Sequence, residues 1–552
     1  MKCNACNHNF EITNIDLEFY DKISPVFANK KYSIPSPTIC PDCRQQRRLA
    51  WRNERNLYHR KCDLTGKQII SIYSSDKPYK VYAHNDWWGD NWSPLDYGKD
   101  FDLSKSFLKQ FEELAEVVPK PPMIIWGCEN SEFTNHSCYN KNCYLCINIG
   151  FCEDCYYCSN FSIYDRNCID CFEVHNCELC YNCINVRKSF NSTNLINCSD
   201  CSDSNFLINC SSCQDCFSCY NLKHKQYCIN NIQYTKEEYL LKLQKISPKT
   251  LGQYKETLKN LLNNNIIVES AWIKNCEKSS GDFLSNCKET NQSFSVYNAE
   301  DSSYCYDDGE IKNCYDAYET LQAELQYETH ACNSSNILIG CTKVYESNNL
   351  IYCKNCWNSN DLFGCVGMKR KQYCILNKQY TKEEYEALVP KIIAHMQQTG
   401  EWGEFFPISI SPFGYNETVA NEYFPLSKEE ALSKGYKWHD EDSASKYQGV
   451  KYEIADNIDD VKDDITSAIL QCEVTGRPFK IIPQELKFYR DMGLPIPRTC
   501  PDQRHKERMA LRNPRRLWNR KCMKCEKDIQ TTYSPDRMEK VYCEECYLKE
   551  VY

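Results

Sequence analysis

Cysteines recur at fixed spacings through the middle of this 552-residue chain, and this spacing constrains the fold more than any other feature. The segment "NCYLCINIGFCEDCYYC" (142–158) aligns with "NCIDCFEVHNCELCYNC" (167–183) at an offset of 25, with all five cysteines in register. A period of 20–50 residues is typical of stacked repeats. Because the segments lack helical periodicity and are rich in Asn, Ser, Cys and aromatic residues, we predict the rungs of a parallel β-solenoid.

The spacing within the repeats is less simple, because every cysteine interval from Cys168 to Cys228 is a multiple of three. A flat strand alternates faces, so C-x-x-C would put its two thiols on opposite sides. The pairs therefore either straddle corners or form metal knuckles. The 29 central cysteines fit a buried ladder of reduced thiols, which the sequence favours, or disulfides. A third possibility is extra zinc sites built by pairs on neighbouring rungs, such as Cys143, Cys146, Cys168 and Cys171.

The cysteine-rich part is itself duplicated. Its end, "KQYCINNIQYTKEEY" (225–239), recurs as "KQYCILNKQYTKEEY" (371–385), identical at 13 of 15 positions. In each copy a threonine, Thr235 or Thr381, precedes a glutamate by three residues, which predicts a capping box. We therefore expect each half of the solenoid to end in a helical cap, as exposed solenoid ends require.

The two ends of the chain also match each other and carry paired C-x-x-C motifs. Residues 500–546 align with 40–86 without a gap, identical at 21 of 47 positions. Four thiolates at such spacings suit tetrahedral Zn²⁺, so we expect about two zinc ions per chain. The predicted metal ligands are Cys3, Cys6, Cys40 and Cys43 at one end, and Cys522, Cys525, Cys543 and Cys546 at the other.

Each ligand set has an incomplete counterpart in the other copy. The counterparts are Cys472, Thr475, Cys500 and Gln503 for the first set, and Cys62, Thr65, Ala83 and Asp86 for the second. Both keep the pattern C-x-x-T-G, in which a threonine hydroxyl can cap the turn and glycine tolerates a positive φ. We predict that these turns are free of metal and are held by hydrogen bonds.

Basic side chains follow the shared Cys-Pro-Asp of both copies at helical spacing. A basic ridge beside a zinc knuckle is typical of a protein that binds the phosphate backbone, so RNA or DNA is the first candidate partner. Alternatively, the arginines face solvent or pair with acidic residues of the solenoid. The candidate nucleic-acid contacts are Arg44, Arg48, Arg52, Arg504, Arg508, Arg512 and Arg516.

Bulk properties narrow the class of protein. A net charge of −9 and a pI near 5.7 argue against a wholly basic nucleic-acid coat. The start "MKCNACNHNF" has no basic region followed by an apolar run, and no apolar stretch is long enough for a membrane span, so we expect a cytoplasmic protein with reduced thiols and no membrane contact. Since the GxSxG, HExxH, Walker A and GxGxxG signatures are all missing, the sequence favours a non-enzymatic role.

Several segments are similar to a family of Cys-rich, multi-zinc-ribbon proteins from small-genome bacteria of the candidate phyla. They are "CPDCRQQRRLAWRNERNLYHRKCDLTGK", "KQYCILNKQYTKEEY", "SPFGYNETVANEYFPLSKEEALSKGYKW" and "PDRMEKVYCEECYLKEVY". The resemblance covers essentially the whole chain and implies no established activity. Some members are labelled CaiB/BaiF-type CoA-transferases, which are α/β enzymes, whereas this chain has no alternating βα pattern. Relatives also carry a cysteine pair after "VY", where this chain reads "VYAHNDWW".

The sequence as a whole predicts a mainly β fold with α additions, in which two zinc-ribbon-like terminal modules flank a Cys-rich parallel β-solenoid in two halves. The predicted segments are an N-terminal zinc-ribbon module (1–118), a first solenoid half with a helical cap (128–265), a second half with a helical cap (270–399), an aromatic strap with a short helix (400–450) and a C-terminal zinc-ribbon module (451–552).

For function, we predict a zinc-binding, non-enzymatic protein that contacts nucleic acid or a ribonucleoprotein through its Arg-rich helices. The alternatives are a protein-interaction scaffold with a protein partner on the solenoid and a thiol redox or metal-handling protein. The further alternative that the protein is a CoA-transferase rests on the family label alone.

Overall fold

The computed structural model describes residues 1–131, 133–264, 266–440, 452–537 and 539–551. Contacts divide the chain into two compact units, each built from two distant segments. The first unit comprises residues 1–123 and 271–439, and the second comprises 124–270 and 440–552. Each unit therefore combines one terminal module with one solenoid half: the N-terminal module with the second half, and the C-terminal module with the first. Residues 441–451, at the predicted boundary between strap and C-terminal module, lie outside the described residues.

Both solenoid halves are parallel sheets whose register advances by twelve residues per turn. Leu195 pairs with Leu207 in the second unit, and Leu338 pairs with Leu350 in the first. The strands of the second unit are Ile125–Trp126, Ser137–Cys138, Ile147–Gly150, Ser159–Ile163, Phe172–His175, Glu178–Tyr181, Ile184–Arg187, Phe190–Ser199, Asn205–Ile208, Gln214–Tyr220, Gln226–Ile229 and Ile232–Gln233. Those of the first unit are Ile273–Lys274, Gly281–Ser285, Ser293–Glu300, Gly309–Tyr318, Leu321–Asn333, Asn336–Ile339, Thr342–Tyr345, Asn348–Ile351, Lys354–Trp357, Asn360–Phe363, Gln372–Ile375 and Lys378–Gln379.

A left-handed residue at nearly every third position bends the backbone and explains the spacing of the cysteines. Asn197, Asp200, Asn209 and Ser212 all have positive φ, and each is followed directly by a cysteine. Each of these cysteines is buried in the interior of the solenoid. Of the two possibilities left open for C-x-x-C, the corners are therefore what the solenoid uses, because a bend after every three residues lets both thiols face inward. Asparagine and aspartate suit the corners because they tolerate the left-handed region better than most residues.

The 25-residue sequence repeat corresponds to two turns of the solenoid, not to one rung. One turn holds an extra residue at Asn160 and Phe161, which both have positive φ. There the register shifts, and Ser159 pairs with Phe172 thirteen residues later. A turn of thirteen plus a turn of twelve gives the observed offset, so sequence similarity marks the double turn that carries the insertion.

Each solenoid half ends as the sequence predicts. The last strand folds back as an antiparallel hairpin, and a helix with a capping box follows, Lys236–Ile246 after Thr235 and Lys382–Thr399 after Thr381. The predicted fold class is thereby confirmed: a mainly β chain with helical additions and a solenoid in two capped halves. Among the described residues, none of the helices combines the length and apolar character needed to cross a membrane.

The terminal modules consist of short helices and hairpins packed on the solenoid. In the first unit, the remaining elements are the helices Asn14–Ile23, Pro41–Leu49, His84–Trp88, Phe107–Val117, Ala420–Tyr423 and Lys428–Ser433, the 3₁₀ turns Pro94–Tyr97, Ile408–Ile410 and Tyr415–Glu417, and the strands Val26–Phe27, Lys30–Lys31, Tyr58–Lys61 and Gln68–Ser71. In the second unit, they are the helices Leu251–Leu262, Pro483–Asp491, Pro501–Ala510 and Glu544–Val551, the 3₁₀ turns Ile458–Asp460 and Asp463–Thr466, and the strands Ile267–Glu269, Leu470–Gln471, Pro478–Phe479, Trp518–Lys521, Asp528–Thr531 and Lys540–Tyr542. We call Pro41–Leu49 and Pro501–Ala510 the arginine helices.

Candidate metal centres and arginine contacts

The N-terminal cysteine set converges at the start of the first arginine helix. Cys40 is the N-cap residue of that helix, and Cys43 lies in its first turn. The Sγ atoms of Cys6 and Cys40 are 3.6 Å apart, and all four sulfurs lie within 4.8 Å of one another. The backbone N–H groups of Ala5 and Cys40 donate to Sγ of Cys3 at 3.4 and 3.2 Å. Such donors stabilise a thiolate, the form that binds metal.

The C-terminal set links a hairpin loop to the start of the last helix, Glu544–Val551. Sγ of Cys525 lies 3.7 Å from Sγ of Cys543, and the four sulfurs again lie within 4.8 Å of one another. The N–H of Cys543 donates to Sγ of Cys522 at 3.2 Å. Although burial opposes the thiolate, backbone N–H groups from Cys543, Cys525 and Lys524 lower the pKa of Cys522 to about 6.

Both sets have the dimensions of a tetrahedral metal site. With Zn–S bonds of about 2.3 Å, the edge of an S₄ tetrahedron is about 3.8 Å, close to the Sγ–Sγ distances of 3.6 and 3.7 Å. Over the described ranges of the chain, these are the two groups of three or more His, Cys, Asp or Glu side chains that could hold an ion. Two four-sulfur sites able to bind metal are therefore present, one in each unit.

The counterpart of the N-terminal set keeps the turn with hydrogen bonds in place of sulfur ligands. Oγ1 of Thr475 lies 3.7 Å from Sγ of Cys500, and the N–H of Arg477 donates to this hydroxyl at 3.4 Å. Gly476 has a φ of +71° and donates its N–H to the carbonyl of Cys472 at 2.9 Å. The threonine and glycine thus occupy the places in the knuckle that the sequence predicts for them.

The counterpart of the C-terminal set is organised around a carboxylate. Oδ2 of Asp86 accepts hydrogen bonds from Oγ1 of Thr65 at 2.9 Å and from Sγ of Cys62 at 3.4 Å. Sγ of Cys62 accepts in turn from the N–H of Ala83 at 3.2 Å. The carboxylate of Asp86 and its two hydrogen-bond donors therefore occupy the place where the other copy brings four sulfurs together.

Inside the solenoid the cysteine side chains form hydrogen bonds with the backbone. The thiol of Cys198 donates to the carbonyl of Ile196 at 3.3 Å, and its Sγ accepts from the N–H of Cys210 one turn later at 3.4 Å. Serine does the same at equivalent positions, since the N–H of Cys201 donates to Oγ of Ser189 at 3.2 Å. These interior positions therefore suit small side chains that both donate and accept a hydrogen bond. All forty cysteines are unpaired thiols, so no disulfide is formed.

The predicted extra zinc site at Cys143, Cys146, Cys168 and Cys171 is not assembled. Its two pairs do not lie on neighbouring rungs, because the register puts a complete turn, with Cys155 and Cys158, between them. Equivalent residues two turns apart are separated by about 9.6 Å, whereas a tetrahedral zinc site requires sulfurs about 3.8 Å apart. The prediction was wrong because the 25-residue repeat spans two turns of the solenoid and not one rung.

In the first unit, the predicted basic ridge is directed into the protein. Nε of Arg44 contacts Oδ2 of Asp316 at 2.8 Å. Nη1 of Arg48 contacts Oδ1 of Asp316 at 3.1 Å and Oε2 of Glu328 at 3.0 Å. Arg52 pairs with Glu54 and Glu319. Asp316 and Glu319 lie at corners of the solenoid, so the arginine helix is fastened to it by buried ion pairs.

The second unit repeats this contact with the equivalent residues. Nε of Arg504 lies 2.8 Å from Oδ2 of Asp170, and Nη1 of Arg508 lies 2.9 Å from Oδ1 of the same residue. Arg512 stacks on Phe172, with its guanidinium carbon 4.4 Å from the ring centroid, and reaches Glu173 at 4.0 Å. The arginines of the two units are 460 residues apart in sequence and the acids 146, which are the offsets of the two duplications.

This burial corrects the predicted nucleic-acid ridge. Arg44, Arg48 and Arg52 are 0–1 % exposed, and Arg504 and Arg508 are 6 % and 2 % exposed. A phosphate backbone cannot reach side chains that are already paired inside the protein. Arg512 is largely covered, and of the seven candidates Arg516 is the exposed one. The arrangement instead matches the alternative in which the arginines pair with acidic residues of the solenoid.

No family model and no curated protein matches this sequence. A solved structure from Desulfovibrio desulfuricans G20 that carries a provisional acetyltransferase name is 10 % identical to it. That match covers 47 % of this chain and 69 % of the other, with a TM-score of 0.11. A TM-score this low supports no statement about fold or activity, and the resemblance to the Cys-rich bacterial family stays a prediction.

Proposed function

We propose that this protein is a zinc-stabilised, non-enzymatic scaffold that binds a protein partner. The observation that carries the zinc assignment is the pair of four-sulfur sets with tetrahedral dimensions. Sulfur-only donor sets favour Zn²⁺ over the hard cations Mg²⁺ and Ca²⁺. Because four cysteines leave no open position for water or substrate, each ion has a structural role.

The structural role follows from what each set joins. In the first unit, Cys3 and Cys6 belong to the N-terminal segment, whereas Cys40 and Cys43 belong to the arginine helix. An ion there would tie the start of the chain to the helix docked on the solenoid. In the second unit, it would tie the loop after Trp518–Lys521 to the helix Glu544–Val551.

A protein partner is favoured over nucleic acid because the arginine helices are occupied internally. The solenoid of the second unit also exposes a ladder of aromatic rings, Tyr139, Phe151 and Tyr164, with centroids 5.1 and 5.0 Å apart. These side chains are 47–58 % exposed. Exposed aromatic clusters are enriched at protein interfaces and depleted elsewhere on protein surfaces.

Elemental analysis of the reduced full-length protein tests the zinc assignment. We expect about two zinc ions per chain, and about one after either Cys6→Ser or Cys525→Ser. Cys500→Ser is the control, because it alters a cysteine of the incomplete set, the counterpart of Cys40, and should leave zinc content unchanged. A wild-type protein without zinc would contradict the proposal, and six or more ions per chain would favour metal handling by the solenoid cysteines.

Charge reversal separates the scaffold from a nucleic-acid-binding protein. We expect Arg504→Glu to destabilise the second unit, because it leaves Asp170 and Glu485 buried beside a new negative charge. The exposed Arg516 is the control, and Arg516→Glu should have little effect on stability. Tight binding of an RNA or DNA oligonucleotide at low salt, weakening steeply as salt increases, would contradict the scaffold proposal.

A further inference from the structure

A small cavity in the first unit is lined by three lysines, two glutamates and mainly apolar side chains. It lies between the helix Phe107–Val117, the solenoid strand that begins at Lys354, and the segment around Pro412. The space in this cavity is about the size of one water molecule. Its lining residues are Trp51, Tyr79, Phe111, Glu112, Ala115, Glu116, Lys120, Lys354, Ile410, Pro412 and Lys437.

Two nitrogen donors on the cavity wall have no hydrogen-bond acceptor among the described residues, and Nε1 of Trp51 is the fully buried one. Lys354 is 3 % exposed, and among the described residues its Nζ has neither a hydrogen-bond acceptor nor a carboxylate partner. Its ammonium group lies 4.6 Å from the ring centroid of Trp51. Nε1 of Trp51, itself 2 % exposed, also has no hydrogen-bond partner within the described ranges. A buried donor without an acceptor is costly, so a missing acceptor is indicated.

The other amines satisfy their own hydrogen bonds and set the local charge. Nζ of Lys120 donates to the carbonyl of Ala115, and Nζ of Lys437 donates to the carbonyl of Ser411 at 2.8 Å. The two carboxylates of the lining, Glu112 and Glu116, form no ion pair with these three lysines. Burial, together with Lys120, Lys343 and Lys437, lowers the pKa of Lys354. A negative charge in the cavity would relieve that repulsion.

The second unit has apolar residues at the equivalent positions. Leu511 corresponds to Trp51, and Ile208 corresponds to Lys354 by the same offsets that relate the arginines and their acids. Both belong to the apolar cluster of the second unit. The contact between helix and solenoid therefore packs without an amine, so the fold itself does not require Lys354 and Trp51.

We propose that this cavity binds one small monovalent anion of halide size, held by the ammonium of Lys354 and the indole N–H of Trp51. Its size excludes phosphate and organic carboxylates. The two donors without an acceptor, together with three lysines against two glutamates in the lining, favour an anion over a cation. Chloride is an anion of this size and charge and serves as the probe.

Thermal unfolding of the full chain in sodium chloride, compared with sodium gluconate at equal ionic strength, tests the site. We expect chloride to raise the melting temperature by about 2 °C or more, since a ligand that binds only the folded state stabilises it. The double variant Trp51→Leu/Lys354→Ile installs the pair found in the second unit, so it should fold and lose the chloride effect.

The matched control is Lys369→Met, which removes another lysine of the first unit that lies over a tryptophan, 4.9 Å from the centroid of Trp87, but that does not line this cavity. It should keep the chloride effect. The proposal is overturned if the wild-type protein melts at the same temperature in both salts, whatever the variants do. It is also overturned if the folded double variant, or Lys354→Met in its place, keeps the full chloride effect.

Discussion

The two units dock the same helix in the same way but place their four-sulfur sets on different elements. Each arginine helix starts at a cysteine, Cys40 or Cys500, and each is fastened to an aspartate at a solenoid corner, Asp316 or Asp170. In the first unit the helix start carries a complete set. In the second, Thr475 takes one ligand position and contacts Cys500 instead. Docking on the solenoid therefore does not require metal at the helix start.

The two units also differ in their buried charged residues. Where an arginine is replaced, the acid that pairs with it is replaced as well. In the first unit Arg47 contacts Glu328 at 2.7 Å and Glu404 at 2.6 Å. The corresponding residues of the second unit are Glu507 for Arg47 and Asn182 for Glu328, so an arginine and its acid are replaced together. Removing one member alone would leave an unpaired buried charge, which costs more than removing both.

The largest expected effect comes from the aspartate shared by two arginines. Asp316→Ala leaves Arg44 and Arg48 with Glu328 as their acidic neighbour and should destabilise the first unit by about 4 kcal/mol. Asp170→Ala should act similarly on the second unit. Hydrogen exchange resolved by peptide measures each unit separately. Glu300→Gln, which alters an exposed ion pair, serves as the control and should leave the stability of both units unchanged. If either variant destabilised both units equally, the two arginine helices would not be docked independently of each other.

Metal removal should affect the two arginine helices differently. With free zinc at about 100 times its Kd, an ion contributes about 3 kcal/mol, and a chelator removes it. We therefore expect faster hydrogen exchange in Pro41–Leu49 and in Glu544–Val551, both of which contain ligands. Exchange in Pro501–Ala510 should remain unchanged, because Thr475 replaces a ligand there. Equal acceleration in both arginine helices would show that the second also depends on metal.

The sequence predicts the metal sets well and the turn length poorly, for physical reasons. Ligand spacing in C-x-x-C is local, so both sets could be found without the fold. The twelve-residue turn was hidden because its corners use residues such as Leu179 and Glu173 at positive φ, which carry no glycine-like signal. The ion pairs were hidden because Arg44 and Asp316 lie 272 residues apart. The available clue was that both the arginines and their acids are duplicated in the sequence, at offsets of 460 and 146 residues.

A buried glutamate gives the second unit a pH dependence. Burial raises the pKa of Glu485 to about 7, although Arg504 and the hydroxyl of Tyr489 oppose the shift. Because the folded pKa exceeds the unfolded value of about 4.5, this carboxyl contributes stability that is complete below pH ~4.5 and is lost as the pH rises through about 7. Its contribution should be about 3 kcal/mol.

The substitution Glu485→Gln should remove this pH dependence of the stability of the second unit. We expect the variant to show no loss of second-unit stability between pH ~5 and ~7, measured by urea unfolding with exchange in Pro483–Asp491 as the readout. Asp16 occupies the equivalent position of the first unit, where it accepts hydrogen bonds from the N–H and hydroxyl of Thr13. Asp16→Asn is the matched control, and it should leave the second-unit profile unchanged.

The smallest effect distinguishes the two turns of the incomplete cysteine sets. Thr475→Val removes the hydroxyl that contacts Cys500 and accepts from the N–H of Arg477, and should cost about 1 kcal/mol. Thr65→Val removes one of two donors to Asp86 at a more exposed site, and should cost about 0.5 kcal/mol. Thermal unfolding measures both. If neither variant lowers the melting temperature, hydrogen bonds do not hold these knuckles, and the turn geometry set by glycine would be sufficient.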